Sequence, residues 1–335
     1  MALPQSLPYL GIGRSQFANN VNPALGRPGF DALGWQLRHV RDHVDRSRFD
    51  LQSVEHSASD QLHGFRINPW LEKHPCGVDP ADGIADSIRI GGVEYVDRAD
   101  LTPSQFWAKC AEVADLPETA APAPGQFEAV YRALVAEGAE SIVVISLSAA
   151  LSATMQSAEL AARAVADTVK VTVVDSQQVT LGQGLIVTRA ARLAQQGAGH
   201  DEVVELARSL AATTKVWGAL DTLENLKKGG RIGGAKALLA SALAIKPIIE
   251  VRDGKVEQGG KQRTRAKALA FIVEKLAEAG PVDTVMVLQA DCSDVDAFVA
   301  MLQQHHHGEI IVGDIGPVVG SHAGRGTIGI AYTKS

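Results

Sequence analysis

Ser141–Ser146 reads SIVVIS and 171–174 reads VTVV, with a segment of helical period, 153–166, between them. A β-branched run without polar alternation has no face it can leave in water. Both stretches are therefore expected as strands covered by helices on each side, the arrangement of a parallel α/β sheet. An amphipathic helix over 127–137 precedes the first strand, and a helix pair over 182–194 and 201–212 follows the second.

The flanking segments have a different style. Ser87–Ile90 and Val93–Val96 are joined by Gly91-Gly92 and read as a hairpin. Thr102 stands as N-cap of a helix, with Pro103 at its first position and Gln105 closing a capping box. Beyond residue 186, hairpins and helices mix. A helix is expected over 220–228 and an apolar one over 235–243. Strands over 247–251 and 255–258 flank Arg252-Asp253-Gly254, a hairpin turn. Helices over 266–278 and 295–304 then alternate with strands over Thr284–Gln289, 309–312 and 327–332. The fold class is α/β in two domains, a parallel-sheet N-domain and an α+β C-domain. The expected boundaries are an atypical segment over 1–85, a first domain over 86–185 and a second over 186–335.

Composition removes several function classes. The formal net charge is −6, without the basic surplus that phosphate-backbone binding to nucleic acid requires. The most apolar helical run, Ala235 to Ile245, contains Lys236 and is about half the ~20 residues of a membrane span, so the chain reads as soluble. Cys76, Cys110 and Cys292 are scattered and form no CxxC pair, which suits a reduced, cytoplasmic setting. Aromatic residues make up only 5%, so an internal pocket would be walled by aliphatic side chains.

Gly324-Arg325-Gly326-Thr327-Ile328-Gly329 matches the dinucleotide fingerprint in spacing, yet only six residues follow it and no strand–turn–helix unit can be built. The glycines are expected to let a tight loop approach a ligand or another backbone segment. His305-His306-His307 is read as a solvated helix end before Gly308, since adjacent side chains do not converge on one metal ion. Ser146, Ser148, Ser152 and Ser157 crowd the carboxyl end of the first strand and the start of its helix. Open α/β sheets place ligands there, and capping is the alternative use of those hydroxyls. Arg231, beyond Lys227-Lys228-Gly229-Gly230, is free to meet an anion. Lys261, Arg263, Arg265 and Lys267 form a second basic group, either a solvated face or a site for a charged partner.

Seven ordered segments, TAAPAPGQF (119–127), LSAALSATMQSA (147–158), VVDSQQVTLGQG (173–184), LENLKKGGRI (223–232), IKPIIEV (245–251) with 253–255, the basic stretch 261–267 and GPVVGSHAGRG (316–326), together resemble the DegV family of fatty-acid-binding proteins. The resemblance implies a long-chain fatty acid enclosed between the two domains. It also implies a carrier rather than an enzyme, whose partner is an ATP-dependent fatty acid kinase that converts the carboxylate to an acyl phosphate. No metal or other cofactor is implied. Thr119, Ser152 and His322 fall where the family places donors to the carboxylate, Arg231 falls near the head group, and Arg263 falls in the stretch associated with the kinase. The physically different reading is an anion- or phosphoester-binding enzyme that uses the 146–157 serine cluster with Arg231.

The chain departs from the family's pattern at Ala120, Ala121 and Ala323, where the resemblance expects Ser, Gln and Thr, and at Ala153, where it expects Gly. No Thr-Asp-Ser strand opens the chain. Residues 1–85 are rich in Pro, Arg, His and Asn, with little periodicity, and are either a divergent segment or a translation in the wrong frame.

Overall fold

The computed structural model describes residues 84–97 and 99–334; the expectations for 1–83, Cys76 included, lie outside the described residues. The chain is an α/β protein built of parallel and mixed sheets. β1 (Ser87–Ile90) and β2 (Val93–Val96) form the expected hairpin, with positive φ at both Gly91 and Gly92, and β3 (Glu118–Ala120) adds to β1 from the other side. Between them lies α1 (Pro103–Glu112). Thr102 Oγ1 accepts from the Gln105 N–H, and Gln105 Oε1 accepts from the Thr102 N–H, completing the capping box.

The two β-branched runs become β4 (Ser141–Ser146) and β5 (Lys170–Asp175), paired in parallel. Both faces are covered, as unbroken apolar runs require. On one side Ile142, Val144 and Val173 pack against α2 (Pro124–Ala136) and α3 (Thr154–Ala164). On the other, Val143, Ile145 and Val174 pack against α4 (Leu181–Gln195) and α5 (His200–Thr213).

A six-stranded mixed sheet comprises β6 (Thr214–Ala219), β7 (Lys246–Arg252), β8 (Lys255–Gln262), β9 (Thr284–Gln289), β10 (Glu309–Asp314) and β11 (Ile328–Thr333), in the order β10-β9-β11-β6-β7-β8. Only β9 and β10 run parallel within it. Alternate residues of β9 divide between two cores. Val285 and Val287 face α7 (Arg265–Ala279) and α8 (Val295–Gln303), while Met286 and Leu288 face α1, α4 and the β1 hairpin. The β7–β8 turn has positive φ at both Asp253 and Gly254, the type I′ geometry of an Asp-Gly hairpin.

α4 belongs to both assemblies. Leu181 and Leu185 pack with the six-stranded sheet, whereas Ile186, Ala190 and Ala194 pack toward β4 and β5. The sequence boundary between 185 and 186 falls inside this helix. Gly182 permits the contact, since a Cβ there would stand 2.5 Å from Val216 Cγ2 on β6.

Four expectations are corrected. The helix expected over 220–228 is confined to α6 (Glu224–Lys228), because the Thr222 hydroxyl caps the Glu224 N–H and the Leu220 N–H is committed to Pro247 O. The apolar helix is a 3-10 helix over Gly233–Ala244. His306 is not solvated: it is 7% exposed, with its Nε2 3.2 Å from Glu309 O. Arg265 is not an open cation either, being paired through two bonds to Asp294.

Gly182→Ala is expected to destabilise the protein by about 1–3 kcal/mol through overpacking. Val216→Ala in the same chain should return much of that loss, a coupling measurable by denaturant unfolding of both single variants and the double. Purely additive effects would show that the two positions do not meet.

Candidate functional site

Two side-chain-to-backbone hydrogen bonds anchor the loop between β4 and α3, and a third fixes the guanidinium that makes one of them. Ser148 Oγ donates to Gly254 O of the β7–β8 turn at 2.6 Å. Arg231 Nε donates to Leu151 O at 3.1 Å, and Arg231 Nη1 donates to Gly229 O at 2.6 Å. The loop is thus tied both to the β7–β8 turn and to the Gly229-Gly230 turn that ends α6. Ser152 sits in this loop, where its Oγ accepts from the Thr154 N–H at 3.2 Å and lies 2.8 Å from Thr154 Oγ1. Ala153 has no side chain with which to cap α3, and Ser152 serves the next N–H instead.

His322 arrives from α9 (Pro317–Ala323), a seven-residue helix absent from the sequence reading. Gly320 lets α9 lie flat on α1, since a Cβ there would be 3.0 Å from Trp107 Cζ2. Asn225 Nδ2 of α6 donates to Ser321 O at 3.0 Å and holds the other side. The imidazole Nε2 is 2.9 Å from Thr119 Oγ1 on β3. Its Nδ1 is buried with no partner and is packed on Gly229, where any Cβ would overlap it.

The structure therefore joins Thr119 directly to His322, and Arg231 bridges the turn beside His322 to the loop carrying Ser152. No hydrogen bond links Ser152 to Thr119 or His322. Arg263 is exposed on a different element, between β8 and α7. Ser148, Asn225 and the glycines at 229 and 320 complete the arrangement. Ser148 had stood out in sequence as one member of the serine cluster, and Gly229 as part of a helix-ending pair.

Burial, together with the positive charge of Arg231, lowers the His322 pKa to about 4. The ring is neutral at neutral pH, with one donor and one acceptor nitrogen. Arg265 and Asp294 are a separate ion pair. Their mutual hydrogen bonds lower the carboxyl pKa and raise the guanidinium pKa, and Arg265 Nη1 also donates to Gly326 O at 2.6 Å. Gly324 and Gly326 both have positive φ and lead from α9 into β11. The GxGxxG stretch is thus a helix-to-strand turn, the reverse of the dinucleotide order. Among the described residues no group of three or more His, Cys, Asp or Glu could hold a metal ion, and no helix is long and apolar enough to cross a membrane.

Two hydroxyl-bearing residues, a neutral imidazole and a guanidinium around a glycine turn form a cluster suited to anionic oxygen, set in an α/β protein of parallel and mixed sheets. The chain belongs to the DegV family: that family's model matches residues 83–335. A DegV domain-containing protein of Streptomyces coelicolor is 37% identical over 221 residues, which is 64% of this chain and 78% of that one. A solved structure described as fatty acid binding of a DegV family protein from Thermus thermophilus is 34% identical, with a TM-score of 0.68, covering 75% of this chain and 91% of that one. The fatty acid kinase B3 protein of Streptococcus pneumoniae, solved loaded with linoleic acid, shares the fold at 23% identity and a TM-score of 0.67, covering 75% and 90% of the two chains.

A pH dependence follows from the neutral His322. Its folded pKa lies below the unfolded value near 6.5, so the unfolded state takes up the proton first. The stability contribution is full above pH ~6.5 and is lost as the pH falls toward 4, a loss of as much as about 3 kcal/mol. Melting temperatures of the ligand-free protein should decline over that window more steeply than those of His322→Gln. Parallel profiles would show that His322 is not the group responsible.

Proposed function

We propose that this protein binds one long-chain fatty acid between domains spanning about 86–185 and 186–335 and presents its carboxylate to an ATP-dependent kinase. The observation that carries the proposal is the Thr119 Oγ1–His322 Nε2 pair beside Arg231, in a chain 34% identical to a Thermus thermophilus protein described as fatty-acid-binding. Thr119 has one hydroxyl proton. If it donates to a carboxylate oxygen, it must accept from His322 Nε2–H, which fixes the tautomer and leaves Nδ1 as the unprotonated nitrogen against Gly229. Ser152 exchanges its bond to Thr154 for a second one to the carboxylate, and Arg231 contributes positive charge at the mouth. These donors orient the head group and favour its ionised form.

Most of the affinity comes from the chain. At ~0.8 kcal/mol per buried CH₂, about 16 carbons correspond to a gross gain on the order of 12 kcal/mol. The ligand's carboxylate attacks the terminal phosphorus of ATP on the partner, giving acyl phosphate and ADP, so the carrier supplies no nucleophile. Arg263, exposed and unconnected to the head-group cluster, belongs to the kinase-facing surface in this reading. The other reading, an anion- or phosphoester-binding enzyme built on the 146–157 serines with Arg231, would need a base beside its nucleophile, whereas Ser146 Oγ has no partner, Ser148 Oγ is bonded to Gly254 O and Ser152 Oγ to Thr154. The free thiols of Cys110 and Cys292 agree with a cytoplasmic location.

Native mass spectrometry of the purified protein is expected to show a mass increment of fatty-acid size that is removed by solvent extraction and restored by added palmitate. An empty protein that refuses palmitate would overturn the proposal. Thr119→Val and Ser152→Ala each remove a hydrogen bond to a charged group and should weaken palmitate binding by about 10- to 100-fold. Arg263→Glu should leave palmitate affinity unchanged while suppressing acyl-phosphate formation by an added fatty acid kinase. Equal phosphorylation of wild type and Arg263→Glu would remove Arg263 from the kinase surface.

A further inference from the structure

β4 ends on Ser146, whose direction is fixed by the strand's alternation. Val143 and Ile145 face α4 and α5, while Ile142 and Val144 face α2 and α3, so Ser146 turns toward α2 and α3. Both helices begin at this end of the strand. α2 reaches β4 through only the four residues between Ala136 and Ser141, so its start, just after Thr119 to Ala123, lies at the carboxyl end of β4. α3 starts just after Ser152. The turn of chain that carries Ser146 into the Ser152 loop is the one clamped by Gly254 and Arg231.

Ser146 is 4% exposed, and its Oγ has no hydrogen-bond partner. The hydroxyls around it differ in this respect. Thr119 is bonded to His322, Ser152 to Thr154 and Ser148 to Gly254 O. The neighbouring positions Ala120, Ala121, Ala123, Ala153 and Ala323 bring no side-chain donor at all. A buried hydroxyl without a partner is unfavourable unless something else in the occupied state satisfies it, and an ionised carboxylate has about four acceptor positions to fill.

We infer that Ser146 is a further donor to the ligand's carboxylate, its Oγ–H reaching the head group from the β4 side while Thr119 and Ser152 reach it from the starts of α2 and α3. This rests on the reading of the site as a fatty-acid head-group site and adds a residue to it. Ser146 then contributes to discrimination by charge, separating a carboxylate from an uncharged head on the same chain, and has no part in selecting chain length.

The test is the dissociation constant of the full-length protein for palmitate and for hexadecanol, with Ser146→Ala beside wild type. Ser146→Ala is expected to weaken palmitate binding by about tenfold or more while changing hexadecanol binding by less than about threefold. The melting temperature of the ligand-free variant should stay the same or rise, since an unsatisfied hydroxyl has been removed. Unchanged affinity for palmitate, or equal losses for both ligands, overturns the inference and leaves the fatty-acid reading standing; a buried water on Ser146 would give the first of these results. A wild-type protein that binds neither ligand removes the reading itself, and the inference with it. Should Ser146→Ala unfold, Ser146→Cys, nearly the same shape with a weak donor, makes the same comparison.

Discussion

Helix α4 is buried on two sides, and the placement of the functional cluster depends on that. A helix in this position must be apolar around most of its girth, and LGQGLIVTRAARLAQ divides its contacts accordingly. Leu181 and Leu185 reach the six-stranded sheet, and Ile186, Ala190 and Ala194 reach β4 and β5. Gly182 brings the helix axis close to β6, and Gln178, just before the helix, donates its side-chain amide to Thr214 O at 3.1 Å. With α4 fixed against both sheets, the carboxyl end of β4 is held in a constant relation to the β7–β8 turn. Ser148 can then reach Gly254 O, and Arg231 can reach Leu151 O.

Polar tethering over that apolar frame is done largely by backbone carbonyls. Arg231 is held by the carbonyls of Leu151 and Gly229, Asn225 by that of Ser321, and Ser148 by that of Gly254. Such partners survive side-chain drift, which leaves glycine as the sensitive element. Gly229 makes room for the imidazole and Gly320 for Trp107. The glycines near the site are thus packing requirements, and at Gly324 and Gly326 conformational ones as well.

The periodic parts of the fold were legible in the sequence. Ser141–Ser146, Thr284–Gln289, the two hairpins and the Thr102 capping box stand where hydrophobic period and turn chemistry put them. β6 and α9 escaped for identifiable reasons. β6 follows α5 without a single intervening residue, so no turn residue marks the change, and Gly218 weakens its strand pattern. α9 is seven residues long with Gly320 inside it; propensity argues against such a helix, and packing on Trp107 supplies what propensity lacks. His306 and Arg265 were misread because a run of like residues suggests solvent, whereas one member of each run is turned inward by its own contact, Glu309 O in one case and Asp294 in the other. Within the site, Thr119 and His322 were named from resemblance alone, whereas Ser152 also stood out as a strand-end hydroxyl and Arg231 as a cation past a glycine turn. They stand about 200 residues apart in sequence at the extremes, and no local pattern could have joined Thr119 to His322.

A neutral imidazole at the proposed head-group site needs a physical reason, because a cation would bind a carboxylate more strongly in isolation. Charging His322 means charging a buried ring in the field of Arg231, and burial with that repulsion lowers its pKa to about 4. The neutral tautomer keeps a directional Nε2–H donor for the Thr119 oxygen and leaves net positive charge to Arg231, which is exposed and pays little desolvation. For the proposed fatty acid, whose affinity would come from its chain, orientation of the head group matters more than extra attraction to it. In the proposed phosphoryl transfer, a neutral relay would also keep the carboxylate oxygens nucleophilic, where a tightly held ion pair would draw electron density away from the attacking atom.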